Sequence, residues 1–540
     1  MSVFTTAISG RLPQLTRPYH AAAAGLFVVL GALLFGPYLS SLPEGTHVWA
    51  QTDRLALALN FYDFGFDFWH PRTSSLQSIG GITGVEFPLQ PYLAALGGLV
   101  AGRSHIVTAF RVLDVTMNVV GLWYLFRLVF ERTGSFAAGL LPGAFLLASP
   151  TFTFYAASAL PDPFSFSLTL VGYYYWLRFF DQSARFADLQ RALLILVLAA
   201  LVKTTSGLHL MAVSGITLLY VFLEPDRLTP RDRVRLLLTL GVGAALLIGF
   251  YLHNLQLNTT YQSHQFLAAA MPAEGVITWH EYMRVYKAKE GGWRYEYLLP
   301  SQYYVLLAAV LVCLARARRA WQHFRFLTLL VLASLAVAWL FYQLMGSLLA
   351  VHDYYAICSF LPPVVLVLLL AVLLLVPPPS SSYPGRAGWG RPALTGGLLL
   401  LAGYLTHASF GHFASRMSDN YPTLSDGYTH RWMRGGAALL QQAGVPAQAQ
   451  VLVLDDYSSN ISLVYFDRRG RTTLHYRYDM NVAGLVKYMS ADSLDYLIMK
   501  PDTYQRLTAE PTALAEAFAP VLHQSAVVVL RRRHLEQAAW

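Results

Sequence analysis

The 540-residue chain contains two cysteines, Cys313 and Cys358, and only 13% of its residues are charged. Both cysteines sit inside or beside apolar runs, which excludes a disulfide framework and a thiolate metal site. With so little charge, 55% hydrophobic residues and a mean hydropathy of +0.43, the chain is too apolar for a soluble protein of this size. It also lacks an internal repeat, and no glycine-rich loop follows the first strand-like run near the C-terminus, so a nucleotide-binding loop is not indicated. The net charge of +9 comes from arginines scattered over many loops instead of one stripe, and no nucleic-acid partner is implied.

What is abundant is apolar sequence long enough for a bilayer. Residues 21–38, 106–126, 234–252, 326–342 and 360–376 are clean runs. Weaker ones cover 136–149, 164–178, 192–202, 208–223, 303–315 and 394–410, predicting about eleven spans. No small-residue cleavage site follows the first run, which is read as a retained anchor. Basic residues alternate with these runs. Arg11 and Arg17, then Arg127 and Arg132, Arg178, Arg185 and Arg191, then Arg227, Arg231, Arg233 and Arg235, then Arg316, Arg318, Arg319 and Arg325, and finally Arg386 and Arg391 mark one side. The opposite short loops, 150–162 and 346–355, have neither lysine nor arginine. Basic loops stay cytoplasmic, so the N-terminus is expected inside and the C-terminal region outside.

Two domains are expected. Residues 1–411 form a membrane domain with outer segments 39–104 and 254–300, and residues 412–540 form a small extracytoplasmic α/β domain. In the first outer segment, helix-like stretches at 49–64 and 88–100 could both lie on the membrane surface. The second segment carries Tyr261, His264, Trp279, His280, Tyr282 and Trp293, aromatics suited to an interface or to stacking on sugar rings. A proline-, serine- and glycine-rich linker at 377–392 reads as a flexible cytoplasmic connection before the last span. After it, β-rich runs at 451–454, 496–499 and 526–530 alternate with helical stretches near 433–443 and 508–518. The first of these runs ends in Asp455 and Asp456, which read equally well as structural or functional acids.

The most specific stretch is the first outer segment. It reads His47-Val-Trp-Ala-Gln-Thr-Asp53-Arg54, continues through Asn60 and Asp67-Phe-Trp-His-Pro71, and closes with Glu86-Phe-Pro-Leu-Gln-Pro-Tyr92. This segment resembles the first periplasmic loop of bacterial polyprenyl-phosphate-sugar glycosyltransferases, relatives of the lipid A aminoarabinose transferase and of the dolichyl-phosphate-mannose protein mannosyltransferases. Leu160-Pro-Asp162-Pro, Lys203 between two spans, His352-Asp353-Tyr354-Tyr355 and a small outer C-terminal domain follow in the order that resemblance implies. The likeness covers nearly the whole chain, with only the first loop specific. It implies a polytopic membrane fold of the GT-C type, residence in the bacterial inner membrane, a polyprenyl-phosphate-linked sugar as donor, and a cell-envelope glycan, lipid or protein as acceptor.

In such families an acid of the first outer loop stands at the catalytic centre, and the matching position is Asp53. An acceptor hydroxyl or amine must lose a proton as it attacks the anomeric carbon, and a positioned general base contributes roughly 10² to 10⁴-fold. Inversion places that base on the face opposite the lipid phosphate, as in inverting glycoside hydrolysis. No general acid is needed, because polyprenyl phosphate leaves readily once cations take up its charge. Arg54, Arg72 and Lys203 are the candidate cations. Lys203 is the most informative, since a lysine within a span costs about 2.5 to 3.5 kcal/mol and calls for a compensating partner. Its bland alternative is snorkelling from a span end, and for Asp53 and Arg54 it is a plain helix-surface charge.

Asp162 is a second acid, expected to help with deprotonation or to orient the acceptor. It competes with a simple helix N-cap, which the flanking prolines favour. Glu86 is expected to position substrate, against a plain surface acid. His47 and His264 complete the substrate-binding set, His264 on a loop that could close over the acceptor. At His352, Asp353, Tyr354 and Tyr355 the stronger reading is sugar recognition, with tyrosines against the ring or the interface. A divalent metal there is the weaker reading, because two adjacent residues rarely chelate one ion and no third ligand is identifiable. No other cofactor is indicated. The alternative function is a transporter or flippase of lipid-linked sugars, disfavoured because the polar residues gather in outer loops and no two halves of the chain match.

Overall fold

A computed structural model describes residues 12–224, 228–266, 296–349, 352–376, 390–417, 430–476 and 481–533. The chain divides into two compact units: Met1–Leu39, Val112–Ile248 and Ala269–Ser415 form the first, and Ser40–Arg111, Gly249–Ala268 and Arg416–Trp540 form the second. Residues 377–389 of the linker, and Trp279, His280, Tyr282 and Trp293, lie outside the described residues.

Each of the apolar windows falls in a helix, because runs of leucine, alanine and valine satisfy their backbone internally where water cannot. Among the described residues six helices are long and apolar enough to cross a membrane: Arg17–Tyr38, Arg103–Thr133, Thr204–Leu223, Pro230–Thr260, Arg325–Gly346 and Pro392–Met417. The pair Pro300–Ala315 and Ala317–His323, bent by 77°, makes a seventh if taken as one span. Others are shorter. Phe136–Ala148 stops where Ser149 caps a new helix that starts at Pro150, and Leu361–Leu375 begins after a break at Phe360. The architecture is that of a helical membrane protein with a small C-terminal sheet.

In the first unit, Pro161–Arg178 packs along Phe186–Val202, with Gly172 so close to Leu196 that an added Cβ would come within 2.7 Å of its Cγ. The turn before Pro161 is fixed by the helix Ile106–Thr133. Asp114 accepts the amide hydrogen of Ala159, a residue at φ +62°, over 3.0 Å, and the Asn118 amide donates to the Ala156 carbonyl at 2.9 Å.

The second unit is built on a five-stranded sheet: β1 (Gln450–Val453), β2 (Arg469–Thr472), β3 (Tyr496–Met499), β4 (Phe518–His523) and β5 (Val528–Arg532), in the order β2-β1-β3-β5-β4. β1 runs parallel to both β2 and β3, with Val451 opposite Gly470 and Tyr496; β5 is antiparallel to β3 and β4. The central strands alternate between two apolar layers, as a sheet buried on both faces requires. Val451, Val453, Ile498 and Val529 pack with Ile461, Leu463 and Phe466 on one face; Leu452, Leu497, Met499 and Leu530 pack with Leu485, Met489 and Leu514 on the other.

The first outer segment belongs to this unit. Val48 and Trp49, at the start of the helix Val48–Asp63, join the first apolar layer of the sheet. Ser75 pairs with Gly470 in parallel, the Leu76 amide donating to the Gly470 carbonyl at 2.8 Å and the Gly470 amide to the Ser74 carbonyl at 3.1 Å, so the loop covers the open edge of β2. A boundary at residue 411 follows chain order, whereas contacts group residues 40–111 with the C-terminal segment. The helix Val48–Asp63, expected on a membrane surface, is packed into this unit, with Gln51, Thr52, Asp53, Leu55 and Asn60 all buried. Leu89–Ala101, by contrast, keeps Leu93, Leu99 and Val100 exposed.

Candidate functional site

In the second unit, Asp53 sits in the second turn of its helix with 9% of its surface exposed. The Asn460 amide donates to Asp53 Oδ1 at 2.7 Å, while the Asn460 carbonyl oxygen accepts the Ser75 amide hydrogen at 3.0 Å. One asparagine thus ties the acid to the loop beside it. Burial pushes the Asp53 carboxyl up from its usual 3.8 to about 7, opposed by the Asn460 hydrogen bond and the Arg54 charge and reinforced by the nearby Asp456. A carboxylate that titrates near neutrality in a desolvated site is suited to proton abstraction. A surface helix charge, the bland alternative for Asp53, is ruled out.

Asp456 itself is held by the amides of Ser458 and Ser462 at 2.8 and 2.9 Å, the opening turn of the short helix Ile461–Tyr465, and burial raises its carboxyl as well. Asp455, at φ +65°, accepts from the Lys500 amide and the Thr503 hydroxyl at 3.1 and 2.8 Å. Both acids shape the loop after β1.

Arg54 and Glu86 pair with each other at 2.5 Å, both partly exposed, and the Arg54 guanidinium lies 4.7 Å from the Phe266 ring centre. Glu86 is therefore not a plain surface acid. Arg72 lies 5.2 Å from the ring centre of Phe64, the residue that follows the helix Val48–Asp63. His47 is the residue before the helix, at φ +55°. His264 is exposed, beside Ser263 and Gln265, which are tied to Thr83 and Gln77.

The first unit holds a second polar centre. Asp162 and Lys203 pair at 3.3 Å, with side-chain exposures of 1% and 7%. The N-cap of Pro161–Arg178 is Leu160, so Asp162 is not a capping residue; it stands in the first turn, facing the lysine that ends Phe186–Val202. Lys203 is buried and does not snorkel. Its ammonium lies 4.9 Å from the Tyr355 ring centre and 5.8 Å from that of Tyr354. Those tyrosines stack on each other at 4.9 Å, His352 packs against both, and Asp353 accepts the Tyr155 hydroxyl at 2.7 Å. Behind them, the Cys358 thiol donates to the Asp162 carbonyl at 3.2 Å, and His209 bridges the Cys358 carbonyl and the Tyr173 hydroxyl at 2.8 and 2.7 Å. Residues some 200 positions apart in sequence thus form one largely buried cluster that carries a cation, two acids and four tyrosines.

Sequence reasoning left Asp456 open between a structural and a functional acid, and it missed Asn460 and Tyr155. The polar run Asp455-Asp456-Tyr457-Ser458-Ser459-Asn460 after a strand was the available signal for the first two; nothing distinguished Tyr155. Among the described residues no group of three or more histidines, cysteines or acids is placed to hold a metal ion.

No protein-family model matches the chain, and no curated protein sequence does. Solved structures do. ArnT from Cupriavidus metallidurans, an aminoarabinose transferase, aligns over 96% of this chain and 98% of its own at 12% identity with a TM-score of 0.57. The same protein bound to undecaprenyl phosphate aligns over 95% and 98%, again with a TM-score of 0.57. The arabinofuranosyltransferase AftD from mycobacteria aligns over 96% of this chain but 40% of its own, at 13% identity and a TM-score of 0.54. The oligosaccharyltransferase of Archaeoglobus fulgidus aligns over 94% and 73%, at 11% identity and a TM-score of 0.52. The chain has the fold of these membrane glycosyltransferases, the GT-C fold.

Proposed function

We propose that the protein is an inverting glycosyltransferase that moves a sugar from a polyprenyl-phosphate carrier to an acceptor on the extracytoplasmic side of a membrane. The observation that carries the chemistry is the buried Asp53, hydrogen-bonded by Asn460 and raised to about 7. The donor class is supported by the full-length likeness to ArnT, one structure of which holds undecaprenyl phosphate. The sequence alternation of basic loops supports about eleven crossings, short helices included, with the first outer segment and residues 412–540 outside a bacterial inner membrane.

In this reading the acceptor O–H or N–H attacks the anomeric carbon, its proton passes to an Asp53 oxygen, and the bond from that carbon to the phosphate oxygen breaks. The electron pair leaves with the polyprenyl phosphate. Arg54 and Glu86 shape the ground beside the base, with Arg72, His47 and His264 as further substrate contacts. Asp162, Lys203, His352, Asp353, Tyr354 and Tyr355 are proposed to serve the donor, the lysine meeting phosphate charge and the tyrosines offering faces to the sugar. The acceptor is a cell-envelope glycan, lipid or protein.

The test uses purified full-length protein with radiolabelled polyprenyl-phosphate sugars and a cell-envelope extract. Wild type should transfer label, and Asp53→Asn should lose turnover by 10²-fold or more while donor binding is kept. Equal turnover in the two proteins removes Asp53 from the mechanism; no transfer from any carrier-linked sugar by wild type refutes the enzymatic reading.

A further inference from the structure

The second unit contains a cavity of about 400 Å³ that none of the proposed transferase residues lines. Its walls are the loop Leu76, Gln77, Ser78, Ile79 and Gly80, with Gln262, and the side chains of Gln450, Arg469, Arg471 and Asp492 from the β1–β2 end of the sheet. Its volume lies in the range of small-molecule sites.

Charge in this cavity is unevenly matched. Arg471 is neutralised: its Nη2 donates to Asp492 Oδ1 at 2.8 Å and its guanidinium leans on the Tyr488 ring at 5.6 Å. Arg469 has no carboxylate partner among the described residues. Its Nη2 donates to the Gly80 carbonyl at 2.6 Å, and its guanidinium lies 4.6 Å from the Phe64 ring, the ring that Arg72 also approaches at 5.2 Å. The nearby acid, Asp63, is engaged bidentately by Arg103 at 2.7 Å on both arms. Burial and the Arg72 charge push the Arg469 guanidinium down to about 10, the direction that marks a cation short of compensation. A half-buried guanidinium supported only by carbonyls and an aromatic face leaves its remaining donors for a planar oxyanion, which it grips in a fork.

Gly81 shows that the backbone is fitted to this arginine. It sits at φ +73°, and a Cβ there would come within 2.6 Å of Arg469 Nη2. The polar side chains of Gln77, Ser78, Gln262 and Gln450 around the cation match the hydroxyls of a carbohydrate better than the body of an apolar ligand.

We infer that this cleft, between the 76–80 loop and β2, binds an oxyanion carried by a sugar, either a phosphate or a carboxylate, with Arg469 as its principal ligand. The site is independent of Asp53 chemistry, and its test reads binding alone. Full-length protein in detergent at constant ionic strength is titrated calorimetrically with glucose 1-phosphate, glucuronate, inorganic phosphate and glucose. At least one sugar oxyanion should saturate while glucose does not, and which of the two binds identifies phosphate or carboxylate. Inorganic phosphate binding without either sugar would reduce the site to a bare anion site and overturn the carbohydrate part.

Arg469→Gln should weaken binding at least tenfold. Asp492→Asn, which removes the one acid of the cavity and releases Arg471, should tighten it several-fold, an outcome that misfolding cannot mimic. Asp53→Asn should leave it unchanged, so a failed transferase reading and a failed cleft are told apart. A binding component that neither Arg469→Gln nor Asp492→Asn moves belongs elsewhere. If no other component exists, or if no oxyanion saturates, the inference is wrong.

Discussion

Replacing Asp53 by asparagine tests the central claim through pH. The carboxyl is raised to about 7 from 3.8, a difference that corresponds to roughly 4 kcal/mol at 1.36 kcal/mol per pH unit. Its main cause is burial, so the cost falls on the charged form. Below about pH 3.8 the acid is protonated in both the folded and the unfolded chain, and it costs nothing. As pH rises towards 7 the unfolded chain ionises while the folded one does not, so stability falls with pH, and above 7 the full penalty of about 4 kcal/mol applies. Asparagine keeps an acceptor for the Asn460 amide and never ionises. Asp53→Asn should therefore be more stable than wild type at pH 8, by up to about that amount, with the gap closing as pH falls to 4. Activity should move the other way. A base is active when ionised, roughly one tenth at pH 6 and nine tenths at pH 8 for a group titrating at 7, so wild-type kcat/KM should climb about tenfold over that interval. Thermal unfolding of both proteins in detergent and a pH–rate profile of wild type make the comparison. A flat profile between pH 5.5 and 8.5, or an asparagine variant no more stable at pH 8 than at pH 5 relative to wild type, would refute the reasoning.

Three further perturbations follow from the geometry. Asn460→Ala removes the hydrogen bond that opposes burial, so the acidic limb of the kcat/KM profile should move to higher pH and turnover at pH 7 should drop; an unmoved limb would detach Asn460 from Asp53. Lys203→Met strands Asp162 in a site where it is 1% exposed, at a cost of about 3–5 kcal/mol, and adding Asp162→Asn should recover much of the lost melting temperature; additive losses would contradict the pairing. Gly81→Ala forces a Cβ within 2.6 Å of both the Thr73 carbonyl and Arg469 at φ +73°, and should cost about 1–3 kcal/mol in thermal unfolding of the second unit; a neutral result would show that the loop shifts freely.

The membrane architecture was legible because it is written in composition. Twenty-residue apolar runs have one stable solution in lipid, and every window chosen by hydropathy became a helix. Span number was less legible, since helices such as Phe136–Ala148 and Leu361–Leu375 are too short for length and hydropathy alone to count as crossings. In the sheet, Tyr496–Met499 was read to the residue, while β2 and β4 were missed. β2 reads Arg-Gly-Arg-Thr and β4 contains Pro520, and both lie at the ends of the strand order, where no apolar run is required. Asp53 was singled out through its motif, and the structure buries it. What holds it was not singled out, because Asn460 is 407 positions away and local pattern carries no information about such a contact.

The two polar centres differ in how they carry charge, and that difference bears on their roles. In the first unit a cation and an acid meet at 3.3 Å in a buried cluster of tyrosines, histidines and a second acid, so each compensates the charge of the other. In the second, no cation among the described residues pairs with the Asp53 oxygens; the adjacent Arg54 is committed to Glu86, and the acid is left with neutral donors, the Asn460 amide and the Trp49 side chain. Had Arg54 paired with Asp53 directly, the carboxyl would have been driven down, and it would be too weak a base to take a proton from a hydroxyl. Glu86 holds Arg54, which leaves burial as the largest influence on the Asp53 carboxyl. Folded against the C-terminal sheet instead of facing water, this acid of the first segment is held well above the range of an ordinary aspartate, as the general base proposed above requires.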